Sequence, residues 1–292
     1  MRRNSESEAE KELRDLIGDD VFAASDIQII VGDLLECELP SARHFIHAGG
    51  LTTFTNRISP YWSANVISTI KLAHHVKETK AKLHLISSIS VAQHRDRKLY
   101  ENTMPIPHHC QSSYTLSKCF AELAASEVLS SGSLSVYRIS DVVPELSRLP
   151  SDLRHNHWLT LLMGTGYWAR CTFPTNYEFF FVLGSDASRA IVKLISDDAT
   201  GTFHLFGRTY TSGFLKRSGE GIPVCEDKQR VAAYINKFVG SEVSLASLVD
   251  DAETKAILRR KGFEWVELKQ DYWKEFVKAA ANSFLKNTRI NP

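Results

Sequence analysis

Apolar residues along this chain recur with two different periods, and the two take turns. Short apolar runs at Ile27-Gln28-Ile29-Ile30-Val31, Phe45-Ile46-His47-Ala48, Leu83-His84-Leu85-Ile86 and Leu134-Ser135-Val136-Tyr137-Arg138-Ile139 read as strands. Between them lie stretches with helical spacing: residues 6 to 17, with Leu13, Leu16 and Ile17 on one side, the stretch carrying Asn65-Val66-Ile67-Ser68-Thr69, and the stretch that begins at Tyr114. Strands alternating with helices imply parallel βαβ units, whose strand C-termini form a ligand crevice. From about residue 145 the pattern becomes less regular, with Pro144, Pro150 and Pro174 and the aromatics from Trp158 to Phe181. Residues 228 to 240 and 269 to 287 read as further helices, the second with Trp273, Phe276, Val277 and Phe284 as its apolar stripe.

The candidate chemistry sits at one of the predicted strand ends. Tyr114 and Lys118 in Tyr-Thr-Leu-Ser-Lys are at i, i+4, so on a helix they share one face. A cation there favours ionisation of a phenol that otherwise titrates near ~10, so the pair predicts a tyrosine able to give or take a proton at neutral pH. Ser87-Ser88 closes the preceding strand, where the Ser88 hydroxyl would hold the reacting oxygen. An ordinary amphipathic helix with one Tyr and one Lys would give the same spacing, and the order of elements around it is what favours chemistry.

Length and charge narrow the class. The 292 residues suffice for a sizeable core and suggest one α/β domain with a smaller appended one. With Lys+Arg 35 against Asp+Glu 34 and no basic block, neither nucleic acid nor an anionic membrane is the expected partner. No apolar run is long enough to span a bilayer and the N-terminus is charged, so a cytoplasmic location is expected. The five cysteines (Cys37, Cys110, Cys119, Cys171 and Cys225) lack Cys-x-x-Cys spacing and read as reduced and structural. His108-His109-Cys110 and His155-Asn156-His157 lack the i, i+4 spacing and carboxylate partners of a zinc site, so no metal is expected. Trp158, Trp168 and Tyr177 read first as core and second as pocket lining.

Taken as an ordered set, these residues make the chain similar to the extended short-chain dehydrogenases/reductases. Within them it most resembles the thioester reductase domains that end nonribosomal peptide and polyketide synthetases, and their carboxylic acid and fatty acyl reductase relatives. The resemblance rests on Gly32-Asp33-Leu34 with Leu39, His47-Ala48-Gly49-Gly50, Pro60-Tyr61 running into Ala64-Asn65-Val66 and Thr69, Ser87-Ser88-Ile89-Ser90-Val91, Tyr114 to Lys118 with Glu122, and Tyr137-Arg138. Ser188-Arg189-Ala190-Ile191-Val192 and Gly201-Thr202-Phe203-His204-Leu205 extend it as the family's returning helix and last sheet strand.

The fold this implies is α/β: a Rossmann-type doubly wound parallel sheet, truncated at its N-terminus, with a smaller, mostly helical substrate domain. Residues 1-145 would form the truncated dinucleotide-binding part and 146-292 the substrate-binding and C-terminal helical part, with about 185-210 returning to the sheet. In the family a strand, a glycine-rich turn and a helix come before the residues matched here, and the turn's amides hold the cofactor pyrophosphate. Met1 falls where the second strand should end. The chain is thus expected to be a fragment, one half of a split protein, or a degenerate relative, and a missing N-terminal segment or companion chain is an expected partner. Residues 6 to 17 would pack on the sheet, and an open slot is expected beside residues 45 to 48 rather than direct pairing with 27 to 31.

The resemblance also implies an activity: NADPH-dependent reduction of a carrier-bound acyl or peptidyl thioester to an aldehyde or alcohol in secondary-metabolite biosynthesis. Ser88, Tyr114 and Lys118 would be catalytic. Arg2 and Arg3 would meet the 2′-phosphate of NADP, Asp33 and Leu34 would flank the adenine, Ala48, Gly49 and Gly50 would let the cofactor approach the backbone, and Lys118 would hold the nicotinamide ribose. Asn65 reads as structural. Two alternatives stay open: a non-catalytic binding protein, and an extended reductase or epimerase acting on a small-molecule carbonyl such as a sugar-nucleotide or steroid-type substrate.

Overall fold

The computed structural model describes residues 5–52, 57–92, 99–110, 112–148, 178–218 and 249–288. Arg2, Arg3, Trp158, Trp168, Tyr177, the His155–His157 group, Cys171, Cys225 and the helix expected over 228 to 240 lie outside these residues, as does the Phe284 side chain.

Four strands form a parallel sheet in the order β1-β2-β3-β6: β1 (His44–His47), β2 (Lys82–Ser88), β3 (Leu134–Ile139) and β6 (Gly201–Leu205). A second sheet of β4 (Asp141–Val143), β5 (Glu178–Leu183) and β7 (Arg208–Thr211) pairs β4 with β5 in parallel and β5 with β7 antiparallel. Among the described strands the chain passes from one sheet to the other three times, between β3 and β4, between β5 and β6 and between β6 and β7. At the last of these passages Gly207 has φ +66°, and a Cβ there would lie 2.1 Å from the Phe181 carbonyl oxygen. Only glycine fits both the left-handed backbone and that approach.

The helices of the N-terminal half are α1 (Glu6–Ile17), α2 (Asp19–Ala23), α3 (Ile58–Tyr61), α4 (Ser68–Thr79) and α5 (Ser113–Val128), with a π-helical stretch at Trp62–Ile67 joining α3 to α4. On one face of the parallel sheet, Leu72, Ala73 and Val76 of α4 and Ala125 of α5 enclose Leu83, Leu85, Leu134 and Val136. On the other, Tyr137, Phe203 and Leu205 pack against Ala190, Ile191 and Leu194 of the helix Gly184–Ser196 and against Leu258 and Phe263. Parallel strands buried on both faces carry near-continuous apolar runs, and β3, buried at every position but its last, follows that rule. A third cluster gathers Phe181, Leu183 and Tyr210 of the second sheet around Trp273, Phe276 and Val277 of the helix Gln270–Thr288.

Two expectations need correction. Residues 27 to 31 form no strand, and Ile27, Ile30 and Val31 are exposed. An apolar run becomes a strand only where a neighbour takes its backbone groups, and among the described residues no strand pairs with this one. Among the described strands β1 pairs with β2 alone, which leaves it at the sheet edge with Ile46 exposed. Helix α1 forms over the expected residues, because Ser5 accepts from the Glu8 amide in an S-x-x-E box. It does not lie on the sheet, however. It packs mainly against α2, Arg14 bonding to Glu10 and Asp19 and stacking on Phe22, and Ala9 is its one buried residue among those described.

Candidate functional site

Ser112 caps α5, its Oγ accepting from the Thr115 amide at 3.1 Å, so the helix begins one residue before Tyr114. One turn later on the same face, Lys118 is buried against the C-terminal end of β2 and donates from Nζ to the Ile86 carbonyl at 2.9 Å. Ser88, the last residue of β2, accepts from the Ser90 amide at 3.2 Å and from the Ser90 hydroxyl at 2.9 Å. With both lone pairs used, its own O–H is left to donate, and it does so toward the Tyr114 oxygen. The Tyr61 ring stands edge-on to Tyr114, centroids 6.2 Å apart, and fixes the phenol from the other side. Ser88, Tyr114 and Lys118 therefore converge where β2 ends.

The electrostatics differ from expectation in one respect. The Tyr114 phenol is held above its usual range: burial dominates, the Asp141 carboxylate and Tyr61 add to it, and Ser88 pulls the other way. Lys118 adds no lowering: one of its N–H groups donates to the Ile86 carbonyl, and the ammonium is itself depressed to about 8 by burial, Glu122 opposing that fall. Tyr114 is thus a protonated phenol at neutral pH, a donor rather than a poised phenolate. His47, at the end of β1, is pushed down to about 4 by burial and then by Lys118, and so is neutral.

Asn65, read as structural from the sequence, ties the site together. It lies in the π-helical stretch, a geometry that often marks functional positions. Its Oδ1 accepts from the Leu51 amide at 2.7 Å, and its Nδ2 donates to the Leu51 carbonyl at 3.2 Å and to Ser117 Oγ at 2.9 Å. This holds the segment after β1 against α5. A Cβ on Gly50 would meet Asn65 Oδ1 at 3.0 Å and Lys118 Nζ at 3.3 Å, so glycine leaves the backbone open beside the ammonium. Ala48, Gly49 and Gly50 are exposed and border the cluster. That open edge and a lysine with spare donors suit the ribose end of a nicotinamide cofactor.

Asp33 and Leu34 lie in a separate turn. Asp33 Oδ1 accepts from the Leu35 amide at 2.9 Å, and Lys71 of α4 moors the turn by donating to the Leu35 and Cys37 carbonyls at 3.0 and 2.8 Å. The described hydrogen bonds of this turn run within itself and to α4 rather than to the Ser88 cluster. Among the described residues no group of three or more His, Cys, Asp or Glu side chains could hold a metal, and no helix is long and apolar enough to cross a membrane.

The comparisons agree with this geometry. No curated protein gives a significant match. Among solved structures, the terminal R domain from the myxalamid PKS-NRPS biosynthetic pathway aligns with TM-score 0.73 and 16% identity over 100% of this chain and 84% of its own. A thiolation-reductase di-domain from an archaeal non-ribosomal peptide synthetase aligns with TM-score 0.70 and 18% identity over 94% of this chain and 67% of its own. UDP-glucuronic acid 4-epimerase from Bacillus cereus, in complex with NAD, aligns with TM-score 0.59 and 15% identity over 91% and 84%. These likenesses share the Rossmann-type α/β fold. The family model described as "Male sterility protein" matches residues 1–172, more than half of the chain, and the family is one of nicotinamide-dependent oxidoreductases. The chain thus belongs to the male sterility protein family, as a thioester reductase-like extended short-chain dehydrogenase/reductase.

Proposed function

We propose that the chain reduces a carrier-bound acyl or peptidyl thioester to an aldehyde or alcohol with NADPH, in cytoplasmic secondary-metabolite biosynthesis. The observation that carries this is the convergence of a protonated Tyr114, a Ser88 hydroxyl free to donate and a buried Lys118 at one strand end. NADPH, when bound, supplies the hydride. Tyr114 gives its proton to the oxygen that gains charge as the thioester carbonyl is reduced, and Ser88 donates to the same oxygen. The resulting hemithioacetal breaks its C–S bond, releasing an aldehyde and the carrier thiol. Lys118 would hold the nicotinamide ribose beside Gly50, and the Ser88 hydroxyl that donates toward Tyr114 would stabilise the phenolate left there. A raised phenol pKa suits this direction, since reduction needs the protonated form.

The likeness to the terminal R domain and the thiolation-reductase di-domain supports a carrier-bound substrate. The likeness to the epimerase, which is in complex with NAD, supports a second reading, in which NAD would take and return the hydride of a sugar-nucleotide while the same three residues move the proton. Incubation of an acyl-phosphopantetheinyl carrier with saturating NADPH, and in parallel of a UDP-sugar with NAD⁺, separates them. The proposal expects aldehyde or alcohol and free carrier thiol by mass spectrometry. Turnover of the UDP-sugar alone would favour the second reading.

A further inference from the structure

Directly behind the candidate site lies a buried polar network that the proposed proton transfer does not use. Arg138 of β3 and Glu122 of α5 form an ion pair with side chains 1% and 2% exposed. The guanidinium grips both carboxylate oxygens, Nε at 3.2 Å from each and Nη2 at 2.8 Å from Oε2, and Nη2 also donates to the Thr103 carbonyl at 2.9 Å. Arg138 Nη1 donates to His204 Nε2 at 3.1 Å, and the other ring nitrogen of that histidine donates to the Asp250 carbonyl. Ser87, the neighbour of Ser88, donates to Glu122 Oε1. Every polar side-chain atom of the pair is thus bonded, and the network draws on β2, β3, α5 and β6.

Such a pair is not explained by stability. Replacing a buried ion pair by apolar groups of similar volume is often neutral or stabilising. Its place in the fold is more telling. Glu122 follows Lys118 by one helical turn on the same face, and Ser87 precedes Ser88 on β2, so the carboxylate is one step removed from two of the three converging groups. The charged and titratable groups around Lys118 are Glu122 and Tyr114 on its own helix and the neutral His47 from β1, with the Ile86 carbonyl of β2 and Asn65 completing the shell.

We propose that Glu122 is a positioning residue: anchored by Arg138 and Ser87, it fixes the register of α5 on β2 and sets a buried carboxylate one helical turn beyond Lys118 on the same face. The inference rests on the proposed function only for what Lys118 does, and its test does not require turnover. The test follows the Lys118 Cε resonance of ¹³C-lysine-labelled protein through a pH titration, assigned by Lys118→Met. In Glu122→Gln, which keeps the side-chain shape but not the charge, the Lys118 midpoint falls by about one pH unit, tenfold in protonation. Glu122→Gln/Arg138→Met orphans no charge and shifts the midpoint the same way by less. Ser87→Ala keeps the charge and leaves the midpoint in place. An unchanged midpoint in a folded Glu122→Gln or double variant overturns the proposal, as does failure of both to fold, which marks the pair as purely structural. Failure of thioester reduction in the wild type, with the midpoint shift intact, would remove the reductase reading and leave this one standing.

Discussion

The two strands that flank β2 meet opposite surroundings. On one side β3 is buried along its length, and its Arg138 is bonded on every nitrogen to Glu122, Thr103 and His204. On the other side β1 stands at the sheet edge, with Ile46 54% exposed and Ala48 to Gly50 open to solvent. Ser88, Tyr114 and Lys118 sit at the seam. The side that would deliver protons is buried and fully hydrogen-bonded, whereas the side that would receive the cofactor is open. Preorganised donors need no rearrangement at the moment of reaction, and an open edge lets a large ligand reach them.

The sharpest way to break this contrast is to orphan a charge on the buried side. Arg138→Met leaves Glu122 buried without its partner and is expected to cost about 3–5 kcal/mol in denaturant unfolding. Ile46→Ser on β1 is expected to change stability by less than about 0.5 kcal/mol, as for a surface position. Equal losses at the two sites would erase the distinction.

The passage between the sheets comes next. Gly207→Ala forces a Cβ onto the Phe181 carbonyl and an unfavourable φ, and should cost on the order of 2–3 kcal/mol. Gly50→Ala is smaller in stability but selective. Its Cβ crowds Asn65 and Lys118, so calorimetry should find weakened nicotinamide binding with an almost unchanged melting temperature.

Proton linkage sharpens the same picture. Lys118 is depressed to about 8 from 10.5, so below pH 8 the folded protein bears the burden of a buried charge, and between pH 8 and 10.5 the unfolded chain holds a proton the native state has lost. Wild-type stability relative to Lys118→Met should therefore rise across that window. His47 and His84 fall to about 4 and His204 to about 3, all three mainly through burial. Their depressed values mean stability lost as pH drops from 6.5 toward 4, with proton uptake on unfolding detectable by calorimetry in buffers of different ionisation heat.

Much of this was legible in the amino-acid order. The strands at 44–47, 82–88 and 134–139 and the i, i+4 Tyr114/Lys118 pair follow local patterns, and the strand at 201–205 follows from the family resemblance. The apolar run at 27 to 31 did not become a strand, because strand formation depends on a neighbour that the run itself does not encode. The direction of the Tyr114 shift was misread for a related reason. Spacing placed Lys118 nearby, but burial of the phenol and the commitment of the ammonium to Ile86 are set by tertiary packing. The Glu122–Arg138–Ser87 network joins three separate elements, so no single stretch of sequence announces it.

The central claim is that Tyr114 delivers the proton at a site it shares with Ser88 and Lys118. It is tested most directly by single-turnover reduction of an acyl-phosphopantetheinyl carrier at saturating NADPH, comparing wild type with Tyr114→Phe. The phenyl ring keeps the contact with Tyr61 and removes only the hydroxyl. The account predicts a rate lower by about 10² to 10⁴, the usual range for loss of a general acid, with carrier affinity nearly unchanged. A Tyr114→Phe variant that reduces the thioester at close to the wild-type rate would contradict it.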